Sequence, residues 1–317
     1  MLGDRSLFSF IWQVSGAHQI GIAGLTVILF AVGAVPLEIQ RRIVNIATDG
    51  GPYRSIALLA LLYAAIALIE GATKLVLNIY RNWVSESATR WLRFNLLEIV
   101  ALSSAPTSPQ SEGVQLSIIV AEAEPIGSFV GDGMSQPLLQ IGILITVIAY
   151  LIFLQPAMAL VVAIVFLPQL FFVPVMQNAI NRRVVQKTST MREVSIAIVD
   201  AGGAFDRNGE QRERLQDVFV FNMGIYKIKF TMNFAINLMT QIGYIGILSL
   251  GGYFVVTKAT EIGTVIAFLS GLSKIAAPWD DLIDWYRNLR ITQVKYDLVR
   301  RVAQGIREPK SRPAVQP

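Results

Sequence analysis

Six stretches of the chain, residues 20–36, 56–80, 137–154, 158–175, 236–256 and 262–277, run apolar with at most two charges each. Their lengths lie near the ~20 residues that a helix needs to cross a bilayer. The simplest reading is an all-α membrane protein with six transmembrane helices. Composition agrees, since 53% of the 317 residues are hydrophobic and 15% charged, outside the usual range of soluble domains.

The chain has no cysteine, and His18 is its single histidine. Disulfides, thiol chemistry, haem and a Cys/His zinc site are thereby excluded. The opening residues, MLGDRSLFSFIWQVSGAHQ, do not follow the order of a signal peptide, so a removed leader is not expected. Leu7, Phe8, Phe10, Ile11, Trp12 and Val14 instead look like a short interfacial helix. The alternative is a slightly extended start to the first span. The expected division is an elbow helix over 1–19, a transmembrane domain over 20–305 and a tail over 306–317.

An even number of spans puts both termini on one side, and Lys and Arg are enriched on the cytoplasmic side. Placing the termini inside leaves 22 of the 27 basic residues inside, with Arg41, Arg42, Arg54 and Lys258 outside and Lys74 within a span. The net charge of +5 then reads as membrane orientation, and no basic stretch interleaved with aromatics points to nucleic acid. The expected location is the plasma membrane or a bacterial inner membrane.

Outer connections are short, whereas inner ones are long. From Tyr80 the chain runs RNWVSESATRWLRFNLLEIVALSSA without glycine or proline, which predicts a helix reaching far beyond the bilayer. After Pro278, residues Leu282, Trp285, Leu289, Thr292, Tyr296, Val299 and Ala303 fall three and four apart, one stripe of an amphipathic rod. The pattern predicts long cytoplasmic helical extensions that pack on one another, with a break at GGAFDRNG.

This arrangement resembles the transmembrane domain of ABC exporters of the six-helix, type IV class. Residues 261–302 are similar to that family's sixth span, matching at Gly263, Ala267, Phe268, Pro278 and Tyr286. GVQLSIIVAEAEPIGSFVGDGM is similar to the segment after the first coupling helix, with Gly113, Glu122, Ile126 and Phe129 in rhythm. The resemblance covers residues 7–302. It implies two short coupling helices that contact a nucleotide-binding domain, one near 103–112 with Pro106, Ser108 and Gln110, the other near 186–193 with Thr188, Arg192 and Glu193. It also implies a second transmembrane subunit, identical or different, and ATP with magnesium on an ATPase partner.

A phosphate loop of the form G-x-x-x-x-G-K-[ST] is missing, for the chain contains no Gly-Lys pair, and hydrolysis of ATP by this chain is not expected. LSGLS at 269–273 mimics an ATPase signature but lies within a span. The ATPase is expected as a separate protein, beyond the chain's end, or dispensed with.

Glu70 and Lys74 stand four apart in the second span, on one helix face. They either line a path for a polar substrate or a proton, or pair with each other. Asn237 and Gln241, with Asn233, share a face of the fifth span, as cavity lining or as interhelical hydrogen bonds. Gly21, Gly24, Ser270 and Ser273 read as close-packing positions. The leading expectation is a transmembrane subunit of an ABC exporter coupled to a separate ATPase and not itself an enzyme. The alternatives are a proton-driven transporter working through Glu70 and a non-transporting scaffold subunit.

Overall fold

The structure is a computed structural model that describes residues 6–101, 109–200 and 209–307. These residues fold into α1 (Leu7–Gly33), α2 (Val35–Thr48), α3 (Tyr53–Ala101), α4 (Pro109–Leu154), α5 (Pro156–Asp200), α6 (Glu210–Val256) and α7 (Ile262–Arg307). With α1 and α2 taken together, six of the resulting rods are long and apolar enough to cross a membrane.

The first helix bends at Ser15, whose φ of −139° and ψ of 19° leave the helical region. Before the bend, Leu7, Phe10 and Ile11 are buried, so the opening turns pack rather than extend freely. The longest element is α3 at 49 residues, about 74 Å at 1.5 Å per residue. That is more than twice a hydrocarbon core of ~30 Å, so α3 continues well past the membrane. The other rods resemble it, and α4, α5 and α7 run through Pro125, Pro137, Pro168, Pro174 and Pro278 without ending. For Pro137, Pro168 and Pro174, which lie in the apolar stretches, stopping the helix in lipid would strand backbone N–H and C=O groups, which outweighs the single bond each proline removes.

Two compact units divide these rods: one holds α1 to α4 through Phe153 with α7 from Ser273 onward, the other α5, α6 and α7 up to Leu272. Within the first unit, α1 and α2 pack on α3. Antiparallel α3 and α4 are clasped by Arg93 and Glu124 at 3.0 Å and by the Ser85 hydroxyl donating to the Ser128 carbonyl at 2.9 Å. Gly127 and Gly131 make this approach possible, because a Cβ on the first would sit 2.6 Å from Thr89 Cα and on the second would strike the Arg81 carbonyl. Small residues four apart are the usual device for such close crossings. The expected packing glycines fare differently: a Cβ at Gly21 would stand 3.2 Å from the Tyr80 ring, but nothing lies within 4 Å of a Cβ at Gly24. The rod of α7 closes the unit as its spacing predicts, with Leu289, Thr292, Tyr296 and Val299 buried and Phe10 set 6.0 Å from Trp91 and 5.3 Å from Tyr296.

Within the second unit, α5 and α6 form an antiparallel hairpin. Met158 faces Gly251, Val165 faces Gly243, and Arg183 donates to the Gly224 carbonyl at 3.1 Å. Gly243, Ile247 and Gly251 form the buried stripe of α6, and Val265 and Leu272 of α7 rest on its glycines. Gly209, at φ 73°, supplies the left-handed turn that starts α6.

Candidate functional site

The break between α1 and α2 sends the Leu37 N–H to the Ala34 carbonyl at 3.1 Å. The Gly33 carbonyl accepts instead from Lys274 Nζ of α7 at 2.5 Å. Glu70 Oε1 lies 3.9 Å from where a Gly33 Cβ would stand. A carboxylate and an ammonium thus both approach one glycine. Counted at 1.5 Å per residue, Lys274 lies about 18 Å along α7 from Ile262 and Glu70 about 26 Å along α3 from Tyr53, both within a membrane's reach.

Lys274 falls within the apolar 262–277 stretch and is held there by a main-chain carbonyl. Glu70 is half-buried and Lys74 exposed, and among the described residues no ion pair joins them.

A second polar feature lies between α4 and α7 in the same unit. A cavity of about 320 Å³ is lined by Asp132, Gln136, Asp281, Asp284, Asn288 and Lys295, among others. Asp132 pairs with Arg81 of α3 at 2.5 Å, an arginine whose side chain is only 12% exposed. Gln140 Nε2 donates to Asp281 Oδ2 at 2.7 Å, and Trp285 Nε1 donates to the Gly133 carbonyl at 3.1 Å. Its carboxylates and amides suit a ligand rich in hydrogen-bond donors. Asp132 and Asp281 were legible only as acidic positions, since nothing in the sequence says that α4 and α7 meet. Among the described residues no cluster of His, Cys, Asp and Glu is placed to hold a metal ion.

Asn237 and Gln241 lie with Asn233 in the second unit, exposed along one face of α6. Of the coupling positions, Pro106 and Ser108 fall outside the described residues, and Gln110 lies in the first turn of α4. Thr188 is exposed on α5, with its hydroxyl donating to the Val184 carbonyl at 2.8 Å. Glu193 is exposed, 4.0 Å from Arg214 of α6. Arg192 is likewise within α5, so 186–193 belongs to an unbroken helix that runs on to Asp200. These residues occupy the flank of α5, about 18 Å from Thr188 to its end at 1.5 Å per residue.

Residues 20–201, more than half of the chain, match the family described as the ABC transporter transmembrane region. The chain belongs to that family. No curated protein sequence matches it. As an ABC transporter transmembrane region it is a multi-pass membrane protein, and membership implies an ATPase partner in general terms.

Proposed function

We propose that this chain is the transmembrane subunit of an ABC exporter, coupled to a separate nucleotide-binding protein. Together with a second transmembrane subunit it forms a path across the plasma membrane or a bacterial inner membrane, with both termini cytoplasmic. ATP and magnesium bind the partner, and this chain catalyses no reaction. The observation carrying the reading is the continuity of α3 to α7, each a single helix of 45 to 49 residues. Movement at a cytoplasmic end therefore reaches the membrane without a loop to absorb it. Pro106, Ser108 and Gln110 at one reversal, and Thr188, Arg192 and Glu193 along α5, form the contact with the ATPase. Glu70, Lys74, Asn237 and Gln241 line the path. An exposed amide row on an apolar helix is unfavourable against hydrocarbon, which supports a water-filled or protein-covered setting.

The absence of cysteine makes a direct test simple. A single cysteine introduced as Glu193→Cys is expected to cross-link to the ATPase in native membranes. Capture from Arg54→Cys at the opposite end of the spans, with none from position 193, would reject the arrangement. The half-buried Glu70, without an ion pair among the described residues, favours one second reading, a proton-driven transporter. In that case Glu70→Gln abolishes proton-coupled transport; unchanged proton coupling in the variant disposes of it.

A further inference from the structure

Where α1 bends at Ser15 it leaves a cavity of about 410 Å³ against α3, lined by His18 of α1 and by Trp83, Ser87, Arg90, Trp91 and Phe94 of α3. The α3 residues recur three and four apart, forming one stripe along the helix. Trp83 follows the end of the second span by less than one turn, so the cavity begins where hydrocarbon gives way to headgroups. Its wall is fixed: His18 Nδ1 and the Tyr80 hydroxyl share a hydrogen bond of 2.8 Å, and the His18 ring stands edge-on to Trp83 at 5.1 Å.

Arg90 is exposed and, among the described residues, has neither hydrogen bond nor ion pair; Glu86, one turn earlier, is not paired with it, and the Ser87 hydroxyl also has no partner there. A guanidinium and a hydroxyl thus point donors at one cavity with no carboxylate to offset the charge. Toward the membrane, Ile20 on α1 and Val76 and Ile79 on α3 are exposed apolar side chains, the last two seven and four residues before Trp83 on its own stripe.

We propose that this groove binds an anionic phospholipid, its phosphate held by Arg90 and Ser87, its glycerol region against the indoles of Trp83 and Trp91, and its acyl chains along Ile20, Val76 and Ile79. Only the choice of the cytoplasmic leaflet as its source rests on the orientation proposed above. A lipid seated there ties the opening turns of α1 to the start of the α3 extension, so leaflet charge sets how firmly the two move together.

The test titrates the full-length chain in neutral detergent with short-chain phosphatidylglycerol or phosphatidylcholine and counts bound lipid by native mass spectrometry. It requires no ATPase, so its failure is separate from failure of the exporter reading. The wild-type chain is expected to hold the anionic lipid about fivefold more tightly, the scale of one basic residue near a charged surface. Arg90→Gln removes that preference, and Arg54→Gln, another exposed arginine, keeps it. Ser87→Ala, which deletes only a hydroxyl, weakens the preference without threatening the fold. Equal retention of both lipids by the wild type, a preference that survives Arg90→Gln, or equally tight binding of inorganic phosphate alone would overturn the proposal.

Discussion

At Gly131 one added methyl group meets the Arg81 carbonyl and the Ser85 hydroxyl. Gly131→Ala is expected to destabilise the chain by about 1–3 kcal/mol, the range for overpacking, read as a lower Tm in detergent. Gly24→Ala meets nothing within 4 Å and is expected to leave the Tm unchanged or raise it, since alanine is the better helix former. Spacing alone marks Gly21 and Gly24 alike as packing glycines, yet only Gly21 has a close neighbour, the Tyr80 ring. A sequence shows which residues are small but not which face meets a neighbour. Asp132→Asn leaves the Arg81 guanidinium short of its partner. Because Asp132 is 47% exposed, solvent screening limits the expected loss to about 1 kcal/mol, and a double-mutant cycle with Arg81→Gln isolates the pair's share.

Elements were far more legible than residues. The run free of glycine and proline after Gly71 gives the α3 rod directly, and the three-four spacing after Pro278 gives the buried stripe of α7. The apolar runs also carry α5 through Pro168 and Pro174 and α7 through Pro278, although proline in water commonly ends a helix. If the continuous rod transmits motion, Glu86→Pro, at an exposed position on α3, interrupts it. An interior proline weakens a helix by about 3 kcal/mol or more. Limited proteolysis of membranes is expected to cut α3 near position 86 in this variant and spare the wild type. Transport by the variant is expected to fall while its insertion into the membrane is unchanged; full transport in a cut rod would contradict the coupling role.

For the whole molecule, apolar runs and charge distribution suffice to give a six-span helical membrane protein, whereas polar sites do not emerge from them. Lys274 and Gly33 are 241 residues apart, and Gln140 and Asp281 are 141 apart. Those contacts exist only once α1, α4 and α7 are folded together. Glu70 stands out in the sequence because a charge in an apolar run is conspicuous; Lys274 does not, because it lies near the end of its run and counts as readily with the inner basic residues. Under the proposed function this transmembrane subunit draws its energy from a separate ATPase. Purifying the chain from native membranes in mild detergent, with no partner overexpressed, and identifying what accompanies it by mass spectrometry decides the point. A stoichiometric protein carrying a phosphate-binding loop of the G-x-x-x-x-G-K-[ST] type is the predicted result. A preparation in which the chain is active in transport and no ATPase accompanies it would contradict the account.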